Sequence, residues 1–248
     1  MKILLNGCLG RMGRAVTELA PTRDCTVVAG VDAACGDAAY PVLADWSSAP
    51  AADAVIDFSN PAALAAELEY VTAHGLPLVL CTTGLSEEQL AAVQDAATRI
   101  PVFFSSNMSL GVAVLSALTK KAAAVLGDTF DIEIVEMHHN QKVDAPSGTA
   151  LMLADAARAG LSYDPVYTYD RHTRRQKRDK KEIGIAALRG GTVVGEHSVY
   201  FAGEQEVITL SHSAGSRSVF AAGALTAAAF LQGKPAGMYS MEDILGGI

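Results

Sequence analysis

The first hundred residues alternate short apolar runs with amphipathic segments, a pattern that predicts repeated strand–helix units. Helices are predicted at 11–19, after Asn60-Pro61, and after a capping box that begins at Ser86. Strands are predicted where apolar and β-branched residues cluster, at 2–5, 25–31, 54–58, 78–81 and 101–104. Such alternation indicates a parallel, doubly wound sheet.

The pattern changes after residue 107. A long apolar helix is predicted at 110–126 and a second helix at 148–159. The segment 130–137 alternates, with Ile132, Ile134 and Met137 set against Asp131, Glu133 and Glu136, which predicts a half-buried strand. Further strands are predicted at 183–188, 192–201 and 206–211. Several strands with few helices indicate an antiparallel or mixed sheet.

An Ala-rich helix predicted at 218–231 is more typical of the first region than of the second. We therefore predict an α/β fold with two domains. Residues 1–108 and 218–248 would form a Rossmann-like dinucleotide-binding domain, and residues 109–217 an α+β domain with a mixed or antiparallel sheet.

Composition narrows the class of protein. Half of the 248 residues are hydrophobic, and the formal net charge of −8 disfavours a nucleic-acid binder. The four cysteines, at positions 8, 25, 35 and 81, have no metal-site spacing and are expected to be reduced thiols. No targeting segment or membrane span is expected, so the simplest location is the cytoplasm.

A glycine-rich turn separates the first predicted strand from the first predicted helix. Its glycines are Gly7, Gly10 and Gly13, spaced G-x-x-G-x-x-G, with Leu9 where the common fingerprint has its second glycine. A turn in this position lets a dinucleotide pyrophosphate approach the backbone, and Arg11 can add a contact to phosphate. The alternative is a tight turn without a ligand.

Asp32 follows the second predicted strand, where a ribose-binding carboxylate belongs. It would also repel a 2′-phosphate, and the neighbouring Ala33 and Ala34 supply no compensating cation. NADH is therefore favoured over NADPH, although Arg11 leaves NADPH open. The alternative is that Asp32 is only a turn residue.

His138, His139 and Lys142 lie within five residues where a predicted strand enters a loop. Adjacent strand residues point to opposite faces, which argues against a shared metal site. Ser147-Gly148-Thr149 then opens a helix whose start suits a carboxylate. The residues alone leave two readings open: an acid-binding loop with proton carriers, or a solvated strand-to-helix loop.

The segment 171–181 carries seven Lys or Arg among its eleven residues. One interpretation is steering of an anionic substrate. The preferred interpretation is a mobile, solvated loop, because charge runs are usually solvated.

Several ordered motifs together resemble one family. The segment H-H-x-x-K-x-D-A-P-S-G-T-A at 138–150 resembles the signature of the dihydrodipicolinate reductases. Five further segments resemble motifs of the same family: 7–13, Asp57-Phe58-Ser59-Asn60-Pro61, Cys81-Thr82-Thr83-Gly84, 106–111, and Arg189-Gly190-Gly191 with Gly195-Glu196-His197. The resemblance extends along nearly the whole chain.

This resemblance implies a homotetramer, built through the sheet of the central domain, that uses NAD(P)H to reduce a cyclic dicarboxylic acid in lysine and diaminopimelate biosynthesis. His138 and Lys142 match the family's proton-transfer residues, and the substrate contacts match His139, Ser147, Gly148 and Thr149. The cofactor contacts match Gly7, Cys8, Leu9, Gly10, Arg11, Met12, Asp32, Cys81, Thr82, Thr83, Ser105, Ser106, Asn107 and Met108. Cys81 and Met108 depart from the usual Gly and Phe.

Two other functions remain alternatives from the residues. One is another NAD(P)-dependent dehydrogenase acting on amino acids, which the His-Lys and Ser-Gly-Thr segments disfavour. The other is a non-enzymatic NAD-binding sensor, which would be expected to lack a proton-transfer set.

Overall fold

A computed structural model describes residues 1–34 and 36–246, and the chain divides into two units. One unit contains Met1–Ser109 together with the described residues from Arg217 onward. The other contains Leu110–Ser216. Within the described part of the chain, no helix combines the length and apolar character needed to cross a membrane.

The elements follow one another in three stretches. The first stretch holds β1 (Lys2–Asn6), α1 (Arg11–Leu19), β2 (Thr26–Val31), β3 (Val42–Leu43), β4 (Ala54–Asp57), α2 (Leu64–His74), β5 (Leu78–Leu80), α3 (Glu87–Ala97) and β6 (Pro101–Phe104). The second holds α4 (Leu110–Leu126), β7 (Asp131–His138), α5 (Gly148–Gly160), β8 (Val166–Thr168), β9 (Glu182–Arg189), β10 (Gly195–Ala202) and β11 (Val207–Ala214). The third holds α6 (Ser218–Phe230), β12 (Gly237–Tyr239) and α7 (Met241–Leu245).

The first unit is built on a parallel sheet with strand order β12-β6-β5-β4-β1-β2-β3. All of its strand pairs are parallel, which confirms the predicted Rossmann-like class. The strand order reverses at β1, which lies between β2 and β4. In open α/β sheets, ligands bind beyond the carboxyl ends of the strands at such a reversal.

The final helix and strand complete this sheet. α6 packs on α1, β4 and β5, and β12 adds an edge strand beside β6. The approach of α6 is close, because a Cβ atom added to Gly223 would lie 1.6 Å from the carbonyl oxygen of Met108. Only a glycine can occupy that position without moving the backbone.

The second unit is a mixed sheet with order β11-β10-β7-β9-β8. β10 is antiparallel to β7 and β11, whereas β9 is parallel to β7 and β8. α4 and α5 contribute Leu115 and Leu153 to a core with Ile132, Ile134 and Phe201. The prediction of a mixed sheet is confirmed.

The predicted alternation along β7 was wrong at its carboxyl end. Ile132, Ile134, Glu136 and His138 are all buried, while the residues between them are only half-buried. Residues two apart share a face of a strand. Glu136 therefore lies on the core side, and Met137 lies on the opposite face.

The basic segment 171–181 is anchored by ion pairs. Arg171 and Arg178 both bind Glu133, at 2.8 and 2.9 Å, and Arg174 binds Glu182 at 2.9 Å. The Glu182 side chain is 4% exposed, whereas the side chains of Arg171 and Arg174 that bind it are 38 and 34% exposed. The preferred interpretation of a solvated loop is therefore wrong for these three arginines.

Candidate active site

The glycine-rich turn between β1 and α1 is tightly packed. Gly7 has φ of +74°, and a Cβ atom there would lie 2.6 Å from the carbonyl oxygen of Phe58. A Cβ atom on Gly13 would lie 2.4 Å from the carbonyl oxygen of Gly7. Gly10 is the N-cap of α1, and no side chain caps this helix. The turn therefore presents an uncapped helix N-terminus, the feature that binds phosphate groups.

A pocket of about 610 Å³ lies over this turn. Its wall includes Gly7, Leu9, Gly10 and Asp32 from the predicted cofactor set. Trp46 and Phe58 supply aromatic surface that sequence reasoning missed. Among the described residues that line the pocket, none is Lys or Arg, whereas Asp32 and Asp45 are acidic.

Asp32 is held by two backbone hydrogen bonds. Its Oδ2 accepts from the N–H of Leu9 at 2.9 Å, and its Oδ1 accepts from the N–H of Ala34 at 2.9 Å. The carboxylate at the end of β2 is thereby fixed against the glycine-rich turn.

The other predicted cofactor residues occupy the same edge of the sheet but do not line this pocket. Cys81, Thr82 and Thr83 follow β5, and Ser105 to Met108 follow β6. Cys8 is buried, and its Sγ packs against Gly30. Arg11, Thr83 and Ser106 are exposed, while Met12 is half-buried and Met108 is buried.

Beneath the turn lies a buried polar group that sequence reasoning missed. Asn6 Nδ2 donates to Glu67 Oε1 at 3.1 Å, and Glu67 is fully buried. Burial, with Asp57 nearby, raises the pKa of Glu67 well above its ordinary value. Burial also raises the pKa of Asp57, opposed by hydrogen bonds from Ser59 and Thr82. Burial therefore favours the neutral, protonated form of Glu67 over its carboxylate.

In the second unit, the buried carboxylate of Glu136 forms hydrogen bonds with three residues. His138 Nδ1 lies 2.6 Å from Oε2, and the backbone N–H of Ser147 donates to Oε1 at 3.0 Å. Arg189 binds both oxygens, at 2.8 and 2.9 Å. Burial acts to raise the pKa of Glu136, but the hydrogen bonds from Arg189, His138 and Ser147 outweigh it and leave the pKa below its ordinary value.

His197 joins the same cluster from β10. Its Nε2 lies 3.0 Å from Ser147 Oγ, and its ring meets the His138 ring edge-on, with centroids 5.1 Å apart. His197 is 4% exposed. Burial, with the nearby His138, lowers the pKa of His197 to about 4. The imidazole is therefore neutral at physiological pH.

The remaining predicted residues surround the start of α5. Ser147 is the N-cap, and its Oγ accepts from the N–H of Ala150 at 3.2 Å. Gly148 is exposed, and a Cβ atom there would have no heavy atom within 4 Å. Lys142 Nζ lies 2.8 Å from Asp144, and its hydrogen bond lowers the pKa of Asp144.

His139 and Thr149 are half-buried in the same region. The predicted proton carrier His138 and the predicted acid-binding helix start are thus linked through Glu136. Across the ranges 1–34 and 36–246, no group of three or more His, Cys, Asp or Glu side chains is arranged to hold a metal ion.

Family models match both parts of the chain. Residues 1–108 match the dihydrodipicolinate reductase N-terminus, and residues 111–245 match the dihydrodipicolinate reductase C-terminus. The chain belongs to the dihydrodipicolinate reductase family. The resemblance seen in the sequence motifs is therefore confirmed.

Individual members of the dihydrodipicolinate reductase family are similar over nearly their whole length. A 4-hydroxy-tetrahydrodipicolinate reductase from Caldanaerobacter subterraneus subsp. tengcongensis is 51% identical, over 99% of this chain and 98% of its own. The enzyme of that name from Caulobacter vibrioides is 46% identical, over 99% and 97%. A structure of dipicolinate-bound dihydrodipicolinate reductase from Paenisporosarcina sp. TG-14 has a TM-score of 0.81 at 23% identity, covering 98% of this chain and 99% of that one.

Proposed function

We propose that this chain is a 4-hydroxy-tetrahydrodipicolinate reductase, which uses NAD(P)H to form tetrahydrodipicolinate in lysine and diaminopimelate biosynthesis. Family membership supplies the reaction class. The observation that carries the proposal is the coupling of His138 to the start of α5 through Glu136. A proton carrier and a carboxylate-binding helix start are both needed to reduce an acidic ring.

Residues 1–108 and 218–248 would be the dinucleotide-binding domain. The turn at Gly7, Gly10 and Gly13 would hold the cofactor, because it leaves the start of α1 uncapped, and added Cβ atoms at Gly7 and Gly13 would collide with backbone and disrupt this tight turn. The uncapped start of α1 would hold the pyrophosphate, and the other predicted contacts from Cys8 to Met108 follow neighbouring strands of the same sheet edge. The bound nicotinamide cofactor supplies the hydride.

NADH is the proposed preferred cofactor, with NADPH as the second candidate. Asp32 would accept hydrogen bonds from the adenosine ribose hydroxyls. A 2′-phosphate would meet Asp32 and Asp45 in a pocket whose described lining contains no Lys or Arg. The exposed Arg11 is the residue through which NADPH would gain binding. Values of kcat/KM for NADH and NADPH test the preference, and a higher value with NADPH contradicts it.

Residues 109–217 would be the substrate-binding and oligomerisation domain. Ser147, Gly148 and Thr149 would hold one carboxylate of the cyclic substrate at the start of α5, since the backbone there is open. His139 and Lys142 would contact the opposite end. A family member was solved with dipicolinate, itself a small cyclic dicarboxylate, which supports this class of substrate.

His138 and Lys142 would deliver the proton that completes the reduction. Glu136 is hydrogen-bonded to Nδ1 of His138. Nε2 is therefore the ring nitrogen that would exchange protons with the substrate. Lys142 carries an ammonium group beside Asp144. Which of the two residues protonates the product is decided by comparing the turnover of the two variants.

The decisive experiment replaces Lys142 with Ala and follows NADH oxidation with the cyclic substrate. We expect turnover to fall by about 100-fold or more while NADH binding is unchanged. Lys121→Ala, an exposed residue of α4, is the matched control and should behave as the wild type. Unchanged turnover in Lys142→Ala would contradict the assignment of Lys142, and NADH oxidation without substrate would contradict the proposed reaction.

We also propose a homotetramer assembled through the second unit's sheet. Leu188 on β9 and Val207 and Ile208 on edge strand β11 are 51, 60 and 38% exposed, so this sheet carries uncovered apolar side chains. A second copy of the chain is the proposed occupant. Light scattering after size exclusion should give four times the chain mass, and a monomer mass would contradict the assembly.

The proposed location is the cytoplasm, with neither nucleic acid nor membrane as a partner. Cys8, Cys25 and Cys81 are free thiols, as expected in a reducing compartment. The net charge of −8 disfavours nucleic acid. Cell fractionation tests the location, and recovery with the membrane or secreted fraction would contradict it.

A further inference from the structure

Glu136 is a charged side chain with no exposed surface, and it sits on the core face of β7 beside apolar residues. Burying a carboxylate is costly unless donors surround it. Here both oxygens are occupied. Oε1 accepts from Ser147 N–H and Arg189 Nη2, while Oε2 accepts from His138 Nδ1 and Arg189 Nη1. Arg189 supplies the compensating charge.

The strand register explains why these groups meet. On β9, Arg189 is the register partner of His138, and on β10, His197 is the register partner of Glu136. β7 thus carries the proton carrier and its carboxylate two residues apart on one face. The neighbouring strands supply the counter-ion and the histidine that contacts Ser147.

An ionised carboxylate only accepts hydrogen bonds, so His138 must donate through Nδ1. The other nitrogen, Nε2, then faces Gly195, where an added Cβ atom would lie 3.0 Å away. A side chain at position 195 would therefore crowd Nε2. The arrangement fixes both the tautomer and the orientation of the ring.

We infer that Glu136 is a positioning residue that holds His138 and the start of α5 in one geometry for the reaction. His197 reinforces this geometry, since it contacts Ser147 Oγ and the ring of His138. The inference rests on the proposed function, in which His138 moves protons and Ser147 to Thr149 hold the substrate carboxylate.

The test replaces Glu136 with Gln, which preserves shape and removes the charge. The amide oxygen is expected to remain at the Oε1 position, because both groups there, Ser147 N–H and Arg189 Nη2, can only donate. At the Oε2 position Arg189 Nη1 can only donate, but His138 Nδ1 can become an acceptor. The amide NH2 would then face His138 Nδ1 and convert it to an acceptor. His138 should switch from the Nδ1–H to the Nε2–H tautomer, and its imidazolium form would face an amide N–H2 group in place of a carboxylate.

In Glu136→Gln, kcat should fall by about 100-fold, the size of a general acid–base contribution. KM for the dicarboxylate should rise, while KM for NADH should stay unchanged. Glu133→Gln is the matched control, because Glu133 lies on the opposite face of β7 and binds Arg171 and Arg178. That control should retain wild-type kcat.

Imidazole nitrogen-15 spectra at pH 8 provide a readout that lost stability alone would not produce. The wild type should show His138 as the Nδ1–H tautomer, and Glu136→Gln should show the Nε2–H tautomer. Finding Nε2–H in the wild type overturns the inference, and this measurement does not require the variant to fold.

The outcomes separate the two proposals. If the wild type is active and a folded Glu136→Gln variant keeps full kcat, the positioning role is overturned while the reductase function is still supported. A wild type that binds NADH but does not reduce the cyclic substrate overturns the proposed function instead.

Discussion

The carboxylate of Asp32 accepts a hydrogen bond from the backbone N–H of Leu9, with Oδ2 and N 2.9 Å apart. Asp32, the first residue after β2, is thus hydrogen-bonded to the residue that replaces the second glycine of the common fingerprint. One carboxylate both stabilises the turn and faces the pocket.

Replacing Asp32 with Ser should therefore weaken NADH binding by about 10-fold or more, since a hydrogen bond to a charged group contributes about 1.5–3 kcal/mol. NADPH use should suffer less, because the repulsion of its 2′-phosphate is removed. Steady-state KM values for both cofactors check this. Asp95→Ser on the exposed face of α3 is the control, and equal losses with both cofactors would contradict the specificity role.

Gly13→Ala should disrupt the glycine-rich turn, because the new Cβ atom would lie 2.4 Å from the carbonyl oxygen of Gly7. We expect a loss of stability of about 2 kcal/mol and much weaker NADH binding. Thermal unfolding and an NADH titration measure the two effects. Gly215→Ala, where a Cβ atom meets nothing within 4 Å, is the control. Wild-type affinity in Gly13→Ala would show that the turn does not hold the cofactor.

His197 should make the fold sensitive to acid. Its pKa in the folded chain is about 4, below the ordinary value of 6.5, because the imidazole is buried. The unfolded chain therefore takes up the proton first, so stability present above pH 6.5 is lost as the pH falls toward 4. The loss amounts to about 3 kcal/mol.

His197→Gln should remove that part of the pH dependence. Urea unfolding at pH 7 and pH 4.5 measures it, with His172→Gln, whose side chain is 79% exposed, as the control. Equal acid sensitivity in the wild type and His197→Gln would show that His197 is not the titrating group.

Glu67 should act in the opposite direction. Burial raises the pKa of Glu67 in the folded chain well above its ordinary value. The stability that the protonated side chain contributes is therefore fully present below the ordinary pKa and is lost as the pH rises through the raised pKa of the folded chain. Glu67→Gln keeps an acceptor for Asn6 without a titrating proton. Its melting temperature at pH 8 should equal or exceed that of the wild type. Glu69→Gln, exposed on the same helix, should show no such gain, and a large loss in Glu67→Gln would contradict a neutral Glu67.

The sequence pattern predicted elements well where long apolar runs define them. β6 at Pro101–Phe104 and α4 at Leu110–Leu126 have the predicted bounds. β3, β8 and β12 were missed because each has only two or three residues and none is a run of three aliphatic residues like the Leu-Val-Leu of the equally short β5. Such strands are formed by pairing with β2, β9 and β6, and no local periodicity of that length distinguishes them from loops.

The site was also predictable only in part, because the sequence indicates residues at element ends but not contacts between distant segments. Asp32 and Ser147 stand at the ends of elements, where position along the chain indicates a role. Glu136 was given no role from the sequence, and His197 was named only as part of a family motif. Their contacts join distant segments: Arg189 lies 53 residues beyond Glu136, and His197 lies 50 residues beyond Ser147. Strand register sets these contacts, and alternation along one strand placed Glu136 on the wrong face.

The return of α6 to the first unit has a consequence for biosynthesis of the chain. During translation, β1 to β6 emerge from the ribosome early. α6, the helix that packs on α1, β4 and β5, emerges only after the whole second unit. An apolar face of the parallel sheet therefore remains exposed until α6 has been synthesised. We expect chaperones to bind nascent chains most strongly at this face during that interval. The second unit, continuous in sequence, is free to fold first.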